Sequence, residues 1–404
     1  MSNLSIAVYF PFARVKIVDH KPNRSLNVTT IGVEPDLRFK PLCHDCGEEC
    51  SRVHSKGHTR FIRDLDIGPA TNFLAAQYRK VYCLKCQGVR VEQQSFCDSG
   101  KRMTLRFMNL VFQLCKIMTV SDVARHFALD PKAVKAIDLA GLEREHGQTD
   151  YDNLRILAID EIAVKKGHVY MTVVLDYLSG RVVAVLEGRK KETLDEFFNG
   201  MSADQKASIE AVAMDMWEPF INRVQHHCPK AEIVFDLFHL VKAFSHVIDE
   251  VRRSEYAKAK GAKKDVLKGS RYILLKNKGN LSFKQSSRLG ELLKLNSTLN
   301  AVYVLKDQLK AIYIHTSRPK AQAALSEWCR MAFDIDHPEM RKYIKRLQFF
   351  EYGILNHCEH AIGTSKLEGV NNKIKVIKRK AYGFQDERYF ALKIKQAFPG
   401  NSIG

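Results

Sequence analysis

Residues 154–188 read LRILAIDEIAVKKGHVYMTVVLDYLSGRVVAVLEG, and the pattern predicts three consecutive strands joined by tight turns. The first, 156–162, is an almost unbroken apolar run interrupted by Asp160 and Glu161. A run that is apolar on both faces belongs in the middle of a sheet covered on both sides. An ionised carboxylate placed there is costly unless something binds it. The plainer reading of Asp160 is a strand-end aspartate satisfied by backbone amides. A functional reading needs other carboxylates to join it. Glu161 points to the opposite face by the two-residue period of a strand, so it is left out of any metal site built on Asp160.

Further along, helical periodicity covers 190–201, and a short apolar strand at 211–214 ends on Asp215. A helix at 219–227 follows, then a strand at 231–235, then Asp236 and a helix through HLVKAFSHVIDEV. Three strands in a meander, then helix, strand, helix, strand, helix, is the α/β order of an RNase H-like core. It puts Asp160 on the central first strand and Asp215 at the end of the fourth. Trp217, beside Asp215, is expected to pack near the site.

Near the C-terminus, 363–383 reads GTSKLEGVNNKIKVIKRKAYG. As a helix, it aligns Val370, Ile374, Ile377 and Ala381 in an apolar stripe for packing on the sheet. Glu368, Asn372, Lys375 and Arg379 form a neighbouring polar stripe. A solvated face is the plainer account, but an acid followed by five Lys or Arg within 371–380 is unusual.

Between these blocks, from about 251 to 350, strand signals fade and helical patterns dominate. Residues 251–330 carry 18 Lys or Arg against 5 Asp or Glu, most of the chain's formal net charge of +19. So basic a chain faces a polyanion, with nucleic acid ahead of an anionic membrane surface. Part of this charge is a solvated face; its concentration suggests a track for the DNA backbone. With 404 residues, 45 % hydrophobic and 27 % charged, the composition is that of a globular protein of two to three domains. No apolar run approaches the roughly 18 to 20 residues of a membrane span, and SIAVYFPFARVKI lacks a signal-peptide pattern. The ten cysteines are therefore expected reduced, in a cytoplasmic, nucleoid-associated protein, with paired spacings pointing to metal.

Those pairs lie in the first 100 residues, as CHDC (43–46) and CLKC (83–86). Cys43, Cys46, Cys83 and Cys86 supply the four thiolates of a structural zinc site, each pair on a turn with Gly47 or Gly88 just beyond. The gap between pairs exceeds the usual ribbon spacing, and a hairpin inserted between the knuckles would account for it. Cys50, His44, His54 or His58 could replace one ligand. Arg60, Arg63, Arg79, Lys80 and Arg90 flank the pairs and suit a nucleic-acid module.

From 101 to 148 the period becomes helical, with Leu105, Met108, Val111 and Cys115 on one apolar face. TVSDVARHFALDPKAVKAIDLAGL (119–142) then predicts a helix capped by Ser121, a break at 129–130, and a second helix with Asp130 as N-cap and Pro131 first. That is a helix-turn-helix whose second helix would turn Lys132 and Lys135 towards DNA; a plain helical hairpin is the alternative.

Three carboxylates from a central strand, a strand end and a packed helix could together hold two divalent cations, magnesium or manganese by their oxygen ligands. Taken together, LAIDEIAVKKGHVY, AVAMDMWEPF, IVFDLFHLVKAF and SKLEGVNNKIKVIKRKAYGF resemble the blocks of bacterial DDE transposases, in particular the ISL-three family of insertion sequences. The resemblance spans essentially the whole chain. It implies Asp160, Asp215 and Glu368 as catalytic metal ligands, with Asp236 and His239 orienting the site. It also implies a core split by the helical insertion. The domains expected are zinc-binding (1–100), helix-turn-helix (101–150), first core part (151–250), basic insertion (251–350) and the glutamate-bearing part (351–404). Related transposases stack an inserted aromatic on a flipped base, which would suit Trp328, though a lone tryptophan among helices is usually core. The expected partner is double-stranded DNA, at element ends and target, bound through Lys132, Lys135, Arg252, Arg253, Lys263, Lys264, Lys375, Lys378 and Arg379. A homo-oligomer without small-molecule cofactor is implied. A zinc-containing DNA-binding regulator and a structure-specific nuclease are the competing readings.

Overall fold

The computed structural model describes residues 10–98, 100–165, 169–362 and 364–401. The predicted turn at 166–168 and most of the N-terminal apolar segment lie outside the described residues. The chain divides into two compact units, Met1–Glu145 and His146–Gly404.

The first unit opens with a sheet of β1 (Val15–Asn23), β2 (Val28–Pro35), β3 (Arg52–Arg63), β4 (Thr71–Cys83) and β5 (Gly88–Val91). β1–β2 and β3–β4 are antiparallel pairs, β2 runs parallel to β4, and β5 pairs antiparallel with β4. β4 is thus the centre: β3 covers one edge, while β2 and β5 share the other. The predicted hairpin between the cysteine pairs is β3–β4. β1 and β2 were not foreseen, because β1 is polar and exposed along most of its length. Alternate residues of β4 are buried, and Leu74 and Ala76 join Ile31, Val33 and Ile62 in the sheet's core.

Three helices complete this unit: α1 (Leu105–Cys115), α2 (Val120–Phe127) and α3 (Pro131–His146). The expected face of α1 is rotated. Val111 and Cys115 are buried, but Phe107 and Phe112 join them while Leu105 is 42 % exposed. The aromatic rings bury more apolar surface than Leu105 and so set the rotation. The cap of α2 is Thr119, whose hydroxyl accepts from Asp122 N–H at 3.1 Å, rather than Ser121. The helix starts two residues earlier than expected, leaving Ser121 inside it. Ala128, at φ 51°, ends α2 in the left-handed conformation that stops helices. Asp130 caps α3, accepting from Lys132 N–H at 3.0 Å, with Pro131 first. Asp64, fully buried, accepts from Thr104 Oγ1 at 2.7 Å and Arg106 Nε at 2.7 Å, fastening the sheet to the start of α1.

In the second unit, β6 (Ile156–Lys165), β7 (Val169–Asp176), β8 (Val182–Glu187), β9 (Ala211–Met214) and β10 (Glu232–Phe235) form one sheet in the order β10-β9-β6-β7-β8. The meander β6–β7–β8 is antiparallel, and β9 and β10 run parallel to β6. Helices cover both faces, as the two-sided apolar run of β6 demands. One side holds α4 (Lys191–Asn199), α6 (Glu218–His227) and α7 (Leu237–Lys258) against Leu157, Ile159, Val212 and Ile233, with the short α5 (Ala203–Ala207) between α4 and α6 in sequence. The other side holds α15 (Thr364–Lys380) and α16 (Glu387–Ala397) against Ala158, Ile162, Val173 and Leu175.

Between α7 and α15 the chain is helical throughout: α8 (Ala262–Leu267), α9 (Arg271–Leu275), α10 (Phe283–Leu295), α11 (Ser297–Ile312), α12 (Arg318–Phe333), α13 (Pro338–Phe349) and α14 (Glu351–Leu355). Their apolar residues belong to the same buried cluster as the α7 face of the sheet. Polar side chains bind them to it: Tyr313 Oη donates to Phe235 O at 2.9 Å and Asn356 Nδ2 to Ile233 O at 3.0 Å. Trp328 is 1 % exposed, donates Nε1–H to Leu305 O at 2.8 Å, and packs edge-on to Phe244 and Tyr343. It is core, not a stacking platform. Trp217, expected to pack, is 43 % exposed.

In a Trp217→Phe protein, emission from the remaining Trp328 is expected to be blue-shifted and resistant to acrylamide quenching. Trp328→Ala should lower unfolding free energy by about 3–5 kcal/mol in urea titrations.

Candidate functional site

Pairing of β9 with β6 covers only Ile156 to Ala158. Two residues further, Asp160 stands where β6 has outrun its neighbour, and this half-accessible position is what the isolated run could not reveal. β9 ends at Met214, with Asp215 next; β10 ends at Phe235, with Asp236 next. Two aspartates at the carboxyl ends of β9 and β10 therefore gather beside Asp160, which lies on β6 just past its pairing with β9, on the side where open α/β sheets bind ligands.

Each aspartate is partly satisfied by the backbone. Asp160 Oδ1 accepts from Glu161 N–H at 2.7 Å, Asp215 Oδ1 from Met216 N–H at 2.6 Å, and Asp236 Oδ1 from Phe238 N–H at 2.7 Å as the N-cap of α7. His239, one turn into α7, lies between two of them. Its Nδ1 is 3.2 Å from Asp215 Oδ2 and its Nε2 is 3.8 Å from Asp160 Oδ1. Burial opposes the imidazolium, but Asp215, Asp160 and Asp236 together raise the His239 pKa. Asp215 is likewise disfavoured by burial, yet its hydrogen bond with His239 holds it below the usual carboxylate range. Burial raises Asp236 and Glu161.

From the opposite face, α15 packs Leu367, Val370 and Ile374 against the sheet and leaves Glu368, Asn372, Lys375 and Arg379 exposed. Of the predicted apolar stripe, Val370 and Ile374 are buried and Ile377 is half-buried, while Ala381 lies just beyond the helix; the predicted polar stripe is exposed. Glu368 lines the same cavity as Asp160, Asp236 and His239, a space of about 320 Å³. Lys242, Lys375 and Lys378 stand on its wall. The cavity combines an acidic floor with a cationic rim.

Two residues escaped the sequence reading. Asn371, one turn after Glu368, donates Nδ2–H to Asp160 Oδ2 at 2.5 Å. It lies between the two stripes and carries no charge, so only its contact marks it. Glu161 sits on the opposite face of β6 from Asp160, as the period requires, yet it also lines the cavity. The cavity wraps the open end of the strand, so alternation does not remove Glu161 from it.

The remaining cationic positions divide. Lys132, Lys263 and Lys264 are exposed, and Lys135 is half-buried. Arg252 and Arg253 are engaged by buried Asp249, at 2.8 and 3.4 Å.

In the first unit, Cys43, Cys46, Cys83 and Cys86 place their sulfurs within 4.8 Å of one another. Among the described residues this is the one group of such ligands so tightly gathered; the three acids are not drawn that close. Gly47 supplies the left-handed turn at the first knuckle (φ 74°), and at the second this falls to Gln87 (φ 47°), not Gly88. Cys86 N–H donates to the Cys83 sulfur at 3.4 Å and lowers its pKa. Cys50 lies beside the cluster but outside it, pushed up to about 11 by burial, and His58 is bonded to Ser55 at 2.8 Å. Of the flanking cations, Arg63 and Arg79 are buried in internal ion pairs with Asp66 and Glu92, Arg90 pairs with Asp45, and Arg60 donates to Gln94. Lys80 carries no such bond.

Residues 157–394 match a family model described as a transposase, and residues 92–140 match the helix-turn-helix domain of transposase family ISL3. The chain is 38 % identical over 384 residues to the transposase for insertion sequence element IS1001 of Bordetella parapertussis, covering 94 % of this chain and 93 % of that one. It is 28 % identical over 379 residues to the transposase for element IS1557 of Mycobacterium tuberculosis, covering 87 % and 84 %.

The His239–Asp215 pair fixes a pH dependence. Because the folded pKa of His239 lies above the unfolded 6.5, its contribution to stability is complete below that value and is lost as pH rises through the folded one. Melting temperatures from about pH 5 to 9 should show this alkaline decline in the wild type and a flatter profile in His239→Gln.

Proposed function

Because the chain belongs to the ISL3 family of insertion-sequence transposases, we propose that its second unit nicks the element's terminal inverted repeats and joins them to target DNA through Asp160, Asp215 and Glu368. The observation that carries this reading is that Asp160, Asp236, His239 and Glu368 line one cavity rimmed by lysines, with Asp215 joined to it through His239. The strand order, with an antiparallel three-strand meander and two strands parallel to its first, supports an RNase H-like core.

The donor set fits hard divalent cations: each of Asp160 and Asp215 has one oxygen bound to a backbone amide and the other held by a side chain that a cation could replace or supplement. Asp160, Asp215 and Glu368 would hold them. Magnesium or manganese bound there supplies the charge that activates a water or 3′-hydroxyl and stabilises the leaving oxygen. The chain's own residues do the positioning. Asn371 orients Asp160, and Asp236 fixes the start of α7, so that His239 stands between Asp160 and Asp215. The hydrogen bond with His239 favours the ionised form of Asp215, and Lys242, Lys375 and Lys378 draw the phosphodiester in. Arg379, Lys263 and Lys264 extend the cationic surface for flanking DNA. Lys132 and Lys135 on α3 would approach the major groove. The four thiols suit structural zinc. Two ends must be brought together, which implies a homo-oligomer, and the chemistry requires no small-molecule cofactor.

The decisive assay uses purified protein, magnesium and duplexes of the element's ends. End cleavage and strand transfer are expected, with Asp160→Asn and Glu368→Gln at least about 10³-fold slower while still binding DNA. Binding with no metal-dependent cleavage would identify a regulator, and cleavage without joined products a nuclease. Metal analysis is expected to find one zinc per chain, lost in Cys46→Ser and retained in Cys50→Ser.

A further inference from the structure

The cross-strand register of β3 and β4 sorts their side chains onto two faces. One face begins as core, with Ile62 opposite Leu74, and continues through Arg60 opposite Ala76 and His58 opposite Tyr78 to Arg52 opposite Tyr82. By the two-residue period, Tyr78, Lys80 and Tyr82 stand in a row on this face. The core cluster stops at Ala76, and beyond it these three residues are only half-buried. His58 stacks on Tyr78 at 5.3 Å, Arg60 lies 5.6 Å from the same ring, and Arg52 lies 5.8 Å from the ring of Tyr82. Arg52 and Lys80 have no ion-pair partner among the described residues, in contrast to Arg63, Arg79 and Arg90.

Two ordinary explanations fall short. Charge on a sheet edge blocks unwanted strand pairing, which suits Arg52 on the edge strand β3 but not Lys80 and Tyr82, which are on β4 where it is paired on both edges. Scattered exposed aromatics need no reason, but here they alternate with cations along one strand and are braced by cations from the next. Flat rings interleaved with unneutralised cations match a phosphate backbone and the sugar and base surfaces beside it.

We infer that this distal face of the β3–β4 ribbon is a second duplex-DNA contact of the first unit, separate from α3, with Arg52 and Lys80 on phosphates and Tyr78 and Tyr82 against the sugar-base surface. It rests on the transposase reading and adds a surface to it. His58 and Arg60 act by holding the Tyr78 ring.

The test measures binding of the full chain, by fluorescence anisotropy across a salt series, to an end duplex and to a scrambled duplex of equal length. Arg52→Gln/Lys80→Gln should weaken both about tenfold and reduce the slope of log affinity against log salt by about 2. Tyr78→Ala/Tyr82→Ala should weaken both about fivefold with the slope unchanged. Zinc content and melting temperature equal to wild type establish that the variants are folded; where the alanine pair melts early, Tyr78→Leu/Tyr82→Leu replaces it. Folded variants that bind like the wild type overturn the surface. So do variants that keep duplex binding but lose binding to phosphatidylserine vesicles, which would mark a membrane face. A wild type that binds neither duplex defeats the transposase reading itself.

Discussion

The length mismatch between two neighbouring strands governs the second unit. Had β9 paired along all of β6, Asp160 would face a backbone ladder and a covering helix, and an ionised carboxylate there would be untenable. Because pairing ends at Ala158, the chain gains an open strand end within an otherwise closed sheet. The ends of β9 and β10 then place Asp215 and Asp236 beside it. Burial alone would raise the carboxyls of Asp215 and Asp236. His239 opposes that for Asp215, and the Glu161 amide and Asn371 give Asp160 its bonds.

The helical stretch after α7 is joined to this arrangement more firmly than its charge suggests. Its apolar residues share one buried cluster with the sheet. Tyr313 and Asn356 bond to carbonyls of β10, the strand that Asp236 follows, and Arg346 donates to Met216 O at 3.0 Å, next to Asp215. Removing the insertion would expose apolar surface and strip hydrogen bonds from the strands that carry the acids. Its basic exterior and its apolar interior are separate assignments made on the same helices.

Much of this was legible in the sequence wherever one period dominated. The two-sided run of β6 announced a central strand, and the α15 stripes separated Val370 and Ile374 from Glu368 and Lys375. The cysteine spacing announced a cluster. What stayed hidden depended on contacts between segments distant in sequence. Asn371 looks like any helical amide until Asp160 is placed against it, 211 residues away. Arg63, Arg79 and Arg90 look like a DNA-facing set until their acids fold onto them. Trp217 and Trp328 are alike in sequence, and only packing shows that one is exposed and the other enclosed. Cap placement at Thr119 rather than Ser121 turned on a single residue's choice between two hydroxyls.

α7 has a mechanical role that two of its turns define. Its first turn holds Asp236 and His239, and its 22 residues make a rod about 33 Å long. Just past its midpoint Asp249 gathers Arg252, Arg253 and Arg271. Buried along its flank by Phe244, Val247 and Ile248, such a rod resists bending. One stiff helix therefore carries both the Asp236–His239 turn and the arginine-gathering Asp249, so the two groups hold a fixed spacing along it.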